Sequence, residues 1–267
     1  MSKKWINLEK KVIIVTGGSS GIGERMVENL CDNGAQVVIA DLHENDKFKF
    51  NKDILFVECN VAQKESVNSM VQTVVDKYGK IDGLVNNAGV SRPRLLVDYH
   101  GTEDGYELTE EDFDFMVNVN QKGVFLCSQA VAKQMATQNS GVIVNMSSEA
   151  GIEGSKGQSA YSATKAAVHA FTLSWAKELG HLGIRVVGVA PGINERTPMN
   201  NDENFKALAY ARGTKVEETV SDYTKIIPLG RPGKLEEVAD LISYLVSDHS
   251  SYITGTTINI TGGKSRG

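Results

Sequence analysis

The chain has 267 residues, 41% of them hydrophobic and 23% charged, which is the composition of an ordinary globular protein. Its formal net charge of −5 disfavours binding to nucleic acid or to an anionic membrane surface, because both recruit basic patches. No apolar run reaches the length of a membrane span, and no apolar stretch follows the basic N-terminus, as a secretory signal would require. The three cysteines lack the spacing of metal ligands. We therefore expect a single cytoplasmic domain over residues 1–267, without a metal.

Short β-branched runs alternate with helical patterns along the chain. The pattern predicts strands at 11–16, 36–41, 54–59, 83–86, 142–146, 184–190 and 257–260. It predicts helices at 21–32, 63–78, 110–138, 159–180 and 235–247. Strands that are apolar on both faces and alternate with helices indicate a doubly wound, Rossmann-like α/β fold with a parallel sheet. In such a fold, ligands bind at the carboxyl ends of the strands.

Two long segments, 90–109 and 192–233, show no clear pattern. Both follow predicted strand ends, so they overhang the edge of the sheet where ligands bind. We expect them to form the substrate-selecting walls. The second is expected to carry short helices and to act as a lid.

A glycine-rich turn, TGGSSGIG at 16–23, joins the first predicted strand to the first helix. Glycines let backbone N–H groups approach a pyrophosphate at a helix N-terminus. An ordinary strand–helix connection is the alternative, but the position favours a dinucleotide site. The expected cofactor contacts are Gly17, Ser19, Ser20, Gly21, Ile22 and Gly23.

Asp41 ends the second predicted strand, roughly 20 residues past this turn, where a carboxylate bonds the adenosine ribose hydroxyls. It would repel the extra phosphate of NADP, so the sequence predicts NAD; a turn or helix-cap aspartate is the alternative. Asn87, Ala88 and Gly89 follow the fourth strand, where they could line the cofactor and tie neighbouring strands together.

Tyr161 and Lys165 share one helical face, because residues i and i+4 are neighbours. A free tyrosine, with a pKa near 10, is a poor base at neutral pH, and a nearby cation plus a positive nicotinamide ring would lower that pKa by about two to three units. Such a pair also arises by chance. Ser148, after the fifth strand, faces the same edge and could hold the substrate oxygen, with Ser147 as the competing choice.

Together, in order and spacing, these motifs resemble the short-chain dehydrogenase/reductase family over essentially the whole chain. The matching features are the turn at 16–23, NNAG at 86–89, the set of Ser148, Tyr161 and Lys165, and Pro191-Gly192 after the sixth strand. The resemblance implies that Tyr161 is the acid/base, that Ser148 positions the substrate oxygen, and that Lys165 also binds the nicotinamide ribose.

The same resemblance implies further roles. Asn120 matches the family's fourth catalytic residue, which supports a water relay to Lys165. Thr197, with Pro191 and Gly192, matches residues at the cofactor. The family usually has Asp-Val in contact with adenine, whereas this chain has Asn60-Val61, to which we carry the role over. A homotetramer is implied, built partly on the helices at 110–138 and 159–180.

Several segments in the variable regions resemble those of bacterial family members that act on sorbitol 6-phosphate. These segments are 92–97, 148–151, 157–161, 207–213 and the C-terminal stretch at 250–264. The implied reaction is the NAD-dependent interconversion of D-sorbitol 6-phosphate and D-fructose 6-phosphate by hydride transfer at C2.

The arginines of the two long segments suit a sugar phosphate, because a guanidinium bonds two phosphate oxygens at once. Ordinary solvated surface arginines are the alternative. The candidate phosphate ligands are Arg92, Arg94, Arg196 and Arg212. Glu149 and Glu153 could accept hydrogen bonds from polyol hydroxyls.

Other functions remain open on this fold. The substrate could be an unphosphorylated polyol, another sugar, a 3-oxoacyl thioester or a steroid. A non-catalytic dinucleotide sensor is a rival from a different class. The complete set of Asn120, Ser148, Tyr161 and Lys165 argues against a sensor, which has no need of proton-transfer groups.

Overall fold

The computed structural model describes residues 5–102, 105–216 and 222–265 of the chain. Its strands are β1 (Val12–Thr16), β2 (Gln36–Asp41), β3 (Ile54–Glu58), β4 (Gly83–Asn86), β5 (Gly141–Met146), β6 (Ile184–Pro191) and β7 (Thr256–Ile260). They form one parallel sheet in the order β3-β2-β1-β4-β5-β6-β7. The predicted fold class is confirmed.

The five predicted helices lie close to their predicted positions. The helices are α1 (Gly21–Asp32), α2 (Lys64–Tyr78), α3 (Glu110–Met116), α4 (Val124–Gln138), α5 (Ala150–Glu153), α6 (Ser159–Leu179), α7 (Asp202–Arg212) and α8 (Leu235–Val246), of which α5 and α7 are additional to the predicted five. A π-helical segment, Val117–Gly123, joins α3 to α4, so the helix predicted over 110–138 is continuous but not uniform. Across the described ranges, no helix combines the length and apolar character needed to cross a membrane.

Helices cover both faces of the sheet, and β1 shows why. Successive side chains of a strand point to opposite faces, so Ile13 and Val15 pack in one apolar cluster while Val12 and Ile14 pack in another. The first cluster includes side chains of α1 and α8, and the second includes side chains of α2 and α4. A strand buried on both faces therefore has no polar side, as the continuous run of apolar residues predicts.

The strand order reverses next to β1. The chain adds β2 and β3 on one side of β1 and then returns to place β4 on the other side. Such a reversal leaves a crevice between the loops at the carboxyl ends of the two central strands. The Asn87 side-chain amide bridges these ends by donating to the carbonyls of Thr16 (3.0 Å) and Gly17 (2.9 Å). The predicted tying of neighbouring strands by this segment is confirmed.

The long segment 192–233 carries α7 together with short 3₁₀ turns at Pro198–Asn200 and Tyr223–Lys225, as expected. Residues 217–221 of this segment and 103–104 of the other long segment lie outside the described residues. The two segments contact each other: the Tyr210 hydroxyl of α7 donates to Asp98 at 2.9 Å, and the rings of Tyr106 and Tyr210 stack with centroids 4.2 Å apart.

Truncating Leu84 to alanine tests the buried position of β4. Leu84 is 0% exposed in one apolar cluster, so we expect L84A to lower the free energy of unfolding by about 2–5 kcal/mol in urea denaturation. Leu96 is 74% exposed, and L96A should change that free energy by no more than about 0.5 kcal/mol. Equal losses in the two variants would contradict the described core.

Candidate functional site

A cleft of about 970 Å³ opens at the carboxyl ends of the strands. Its lining includes Asp41 at the end of β2, Asn60 after β3, the glycine-rich turn after β1, and Ser148 and Tyr161. The segment after β6 contributes residues from Gly192 as far along the chain as Pro232, including Arg212. The structure therefore brings the predicted cofactor residues, the proton-transfer pair and part of the predicted substrate wall to one cavity.

The glycine-rich turn packs too closely for larger residues. A Cβ on Gly17 would lie 2.8 Å from the Cα of Ala88, and a Cβ on Gly23 would overlap the Gly17 carbonyl oxygen. Gly21 begins α1 with a φ of +58°, which favours glycine. Ser20 forms no side-chain cap, so the first-turn N–H groups of α1 remain available to an anion in the cleft.

Asp41 lies at the end of β2, where its carboxylate lines the cleft. One carboxylate oxygen accepts from the Ser19 N–H (3.0 Å) and the other from the Leu42 N–H (2.7 Å). These bonds orient the carboxylate and leave lone pairs on both oxygens for ribose hydroxyls. Ser19 itself does not line the cleft, because its hydroxyl donates to the His43 carbonyl. Its contribution is therefore to hold Asp41.

The remaining predicted cofactor residues lie along the same cleft. The Asn60 side-chain oxygen accepts from the Ala62 N–H (3.0 Å), and its amide nitrogen has no acceptor within the described ranges. A nitrogen donor of this kind suits an adenine acceptor. The cleft is also lined by Val61, Asn87, Ala88, Gly89, Pro191, Gly192 and Thr197.

The structure distinguishes the two candidate serines. Ser148 and Tyr161 both line the cleft, and the Ser148 hydroxyl acts on the Tyr161 phenol by opposing the rise of its pKa. The Ser148 oxygen accepts from the Ala150 N–H at 3.2 Å. Ser147 is buried, and its hydroxyl donates to the Lys165 carbonyl at 2.9 Å. Only Ser148 therefore presents its hydroxyl beside the Tyr161 phenol.

The Lys165 ammonium lies over the Tyr161 ring and is hydrogen-bonded to the backbone. Its Nζ donates to the Met146 carbonyl (2.7 Å) and lies 5.8 Å from the centre of the Tyr161 ring. Burial raises the pKa of Tyr161, with the Ser148 hydrogen bond opposing the rise and the charge of Glu149 adding to it. The expected lowering of that pKa also depends on a bound nicotinamide ring, so it stays a prediction. Burial also lowers the pKa of Lys165 to about 8.

Asn120 lies one layer behind the cleft, in the π-helical segment, and is 0% exposed. Its side-chain oxygen accepts from the Val90 N–H (2.8 Å), while its amide donates to the Val90 carbonyl (2.8 Å) and the Thr164 hydroxyl (3.2 Å). Its side chain therefore ties the start of segment 90–109 to α6. The extra residue per turn of a π-helix rotates side chains away from the helical pattern, so periodicity alone did not predict this placement.

Arg92 and Arg94 do not line the cleft. The Arg92 guanidinium pairs with Asp112 at 2.9 Å and lies over the Phe115 ring, and Arg94 approaches the other Asp112 oxygen at 3.8 Å. This corrects the expectation of a phosphate clamp from these two residues. The buried Asp112, near the start of α3, holds both guanidinium groups away from the cavity.

Arg196 and Arg212 do line the cleft, but they differ in their partners. Arg196 forms an exposed ion pair with Asp202 at 2.8 Å. Arg212 ends α7, and no carboxylate of residues 5–102, 105–216 or 222–265 forms an ion pair with it. Desolvation lowers its pKa and the charge of Glu149 opposes that change. Arg212 is therefore the better placed arginine for an incoming anion.

Glu153 and Glu149 also line the cleft. One oxygen of Glu149 accepts from the Lys264 ammonium at 2.6 Å, and the other is buried and has no hydrogen-bond partner in the described chain. The contact of these two carboxylates with substrate hydroxyls stays a prediction. Lys264 is a cleft residue that sequence reasoning missed, because no local pattern joins residues 115 positions apart.

Comparisons with known proteins place the chain in one family. A family model described as short chain dehydrogenase matches residues 11–207. Sorbitol-6-phosphate 2-dehydrogenase of Klebsiella pneumoniae is 53% identical over 264 residues, covering 98% of this chain and 99% of that protein. A 3-oxoacyl-(acyl-carrier-protein) reductase of Thermotoga maritima is 43% identical over 270 residues, covering 97% and 99%.

Solved structures show the same fold. Levodione reductase superimposes with a TM-score of 0.83 at 30% identity, covering 97% of this chain and 98% of the other. The 3-ketoacyl-(acyl-carrier-protein) reductase from Brucella melitensis, complexed with NADH, gives 0.80 at 29% identity, covering 97% and 100%. The chain belongs to the short-chain dehydrogenase family of oxidoreductases.

Proposed function

We propose that this oxidoreductase interconverts D-sorbitol 6-phosphate and D-fructose 6-phosphate at C2, with NAD(H) as its cofactor. The observation that carries the proposal is the Ser148–Tyr161 hydroxyl pair in a cleft that also contains Arg212, a cation without a carboxylate partner in the described chain. The similarity to the Klebsiella enzyme supports the choice of substrate.

The predicted NAD(H) cofactor is confirmed by the family and by the NADH complex of a structural relative. The cleft fits a dinucleotide, because Gly17 and Gly23 allow the turn to pack closely and the uncapped first turn of α1 lines the cleft, where it can receive a pyrophosphate. We assign Asp41 to the adenosine ribose and Lys165 to the nicotinamide ribose. When bound, the oxidised cofactor supplies the hydride acceptor and a positive ring. The other assigned contacts are Asn60, Val61, Asn87, Ala88, Gly89, Pro191, Gly192 and Thr197.

In the oxidation direction, the Ser148 hydroxyl holds the substrate hydroxyl and the Tyr161 phenolate accepts its proton. Burial disfavours this phenolate by raising the pKa of Tyr161, so positive charge in the cleft is required to stabilise it. The Lys165 ammonium, over the Tyr161 ring, contributes part of that charge. Asn120 is a positioning residue in this scheme, since its side chain holds Val90 rather than the substrate.

A second candidate is the reduction of 3-oxoacyl thioesters, which the similarity to the Thermotoga reductase favours. An initial-rate panel of sorbitol 6-phosphate, sorbitol and a 3-hydroxyacyl thioester with NAD separates the two functions. The cytoplasmic location and the homotetramer stay predictions.

Replacing Tyr161 by phenylalanine removes the proposed proton acceptor and leaves the ring. We expect Y161F to lower kcat by about 10²–10⁴-fold while the Kd of NADH, measured by fluorescence titration, stays close to that of the parent protein. Tyr252 is fully exposed, and Y252F is the matched control. Substantial activity in Y161F would contradict the assignment of Tyr161 as the proton acceptor.

Replacing Asp41 by asparagine tests the preference for NAD over NADP. The carboxylate repels the additional phosphate of NADP, so D41N should raise the ratio of kcat/KM with NADP to that with NAD by about tenfold. The ratio is obtained from initial rates with each cofactor. An unchanged ratio would show that the adenosine ribose does not bind beside Asp41.

Replacing Arg212 by glutamine tests the phosphate contact. We expect R212Q to raise the KM for sorbitol 6-phosphate by about 10- to 100-fold, because a charge-assisted hydrogen bond is lost, while the KM for NAD is unchanged. Arg25, which pairs with Glu28 on α1, provides the control variant R25Q. If R212Q and R25Q have the same KM for sorbitol 6-phosphate, Arg212 does not bind the phosphate.

A further inference from the structure

A second cation of the cleft belongs to residues 261–265, which follow β7 and are called the tail below. Lys264 follows β7 and lines the same cavity as Ser148 and Tyr161. Its ammonium donates one hydrogen bond to Glu149, the residue next to Ser148, and its side chain is 28% exposed. An ammonium has three donors, so two remain for a ligand.

A tight backbone turn in the tail places Lys264 at the cleft. Gly262 and Gly263 have φ values of +62° and +88°, a left-handed pair that larger residues rarely adopt. A Cβ on Gly262 would lie 2.8 Å from the Ile227 side chain, and one on Gly263 would lie 3.0 Å from Pro228. The tail thus turns tightly against the end of segment 192–233 before it reaches the cleft. The Lys264 N–H closes the turn by donating to the Thr261 carbonyl at 3.2 Å.

Glu149 holds the ammonium in place. Its backbone N–H donates to the Pro191 carbonyl (3.1 Å), and a Cβ on Gly192 would lie 3.0 Å from its buried carboxylate oxygen. The glycine therefore leaves room for the carboxylate against the end of β6. The charge of Glu149 also acts on Arg212, so the guanidinium and the ammonium lie within electrostatic range of one carboxylate.

We propose that Lys264 and Arg212 together form a phosphate subsite, with Glu149 as the positioning residue that holds Lys264 in it. Two cations and one carboxylate leave this group with a net positive charge, which suits a phosphate ester. The Lys264 ammonium neutralises the carboxylate charge of Glu149, and Arg212 supplies the net positive charge. The subsite rests on the proposed function for its substrate, a sugar phosphate. The phosphate of a phosphopantetheine thioester has the same chemistry and is the other source of a phosphate for this subsite.

The test measures binding apart from turnover. Inorganic phosphate and fructose 6-phosphate are titrated calorimetrically into the full chain saturated with NADH. We expect K264Q and R212Q each to raise the Kd of both probes by about tenfold, and K264R to restore most of the affinity by keeping the charge. Lys11 provides a closely matched control: it pairs with Asp248 at 2.7 Å and its side chain is 27% exposed, against 2.6 Å and 28% for Lys264.

The proposal is overturned if K264Q binds both probes as tightly as K11Q, or if the parent protein binds neither. Its failure is distinguishable from that of the proposed function. If phosphate binding depends on Lys264 but sorbitol 6-phosphate is not oxidised, the subsite stands and the substrate assignment falls. Turnover of a phosphopantetheine thioester that depends on Lys264 would then identify the other source of the phosphate.

Discussion

The close approach of backbone at the reversal of strand order is the constraint on which the rest of the structure depends. β1 and β4 end side by side, and Gly17 lies so near Ala88 that a single added carbon would collide with it. The Asn87 amide closes the gap by bonding the carbonyls at the end of β1. This contact directs the first turn of α1 at the cleft and aligns it with Asp41 on the neighbouring strand. Any loosening there would misplace the cofactor relative to the reacting groups.

The proposed reacting groups, Tyr161 and Lys165, are controlled by burial rather than by a simple pairing of charges. Lys165 donates to the Met146 carbonyl, and the loss of hydration lowers its pKa to about 8. The same loss raises the pKa of Tyr161. The half-buried Tyr161 phenol and the buried Lys165 ammonium therefore both resist their charged forms. In the proposed mechanism, Tyr161 would form its phenolate more readily beside the positive ring that a bound oxidised cofactor would supply.

The proposed substrate side of the cleft is made by parts of the chain that are distant in sequence. The end of α7 packs on the turn before α6, where a Cβ on Gly157 would lie 2.6 Å from that of Ala211. The tail packs on the other end of segment 192–233 before it places Lys264 beside Glu149. Segment 90–109 joins α7 through Tyr210 and Asp98. The wall is thus an assembly of loops around a rigid sheet, which allows one fold to accept different substrates.

The sequence by itself determined the succession of strands and helices along the chain and the glycine-rich turn. It also determined the position of Asp41 at the end of β2 and the shared helical face of Tyr161 and Lys165. Each of these depends on local periodicity or on residues a few positions apart, which any reader of the chain can measure. Only the tertiary structure decided which side chains reach the cleft. Arg92 and Arg94 turn to the buried Asp112, Asn120 is displaced by a π-helical turn, and Lys264 meets Glu149 from 115 positions away. These outcomes follow from long-range packing and from competition for ion-pair partners, neither of which leaves a local pattern in the sequence.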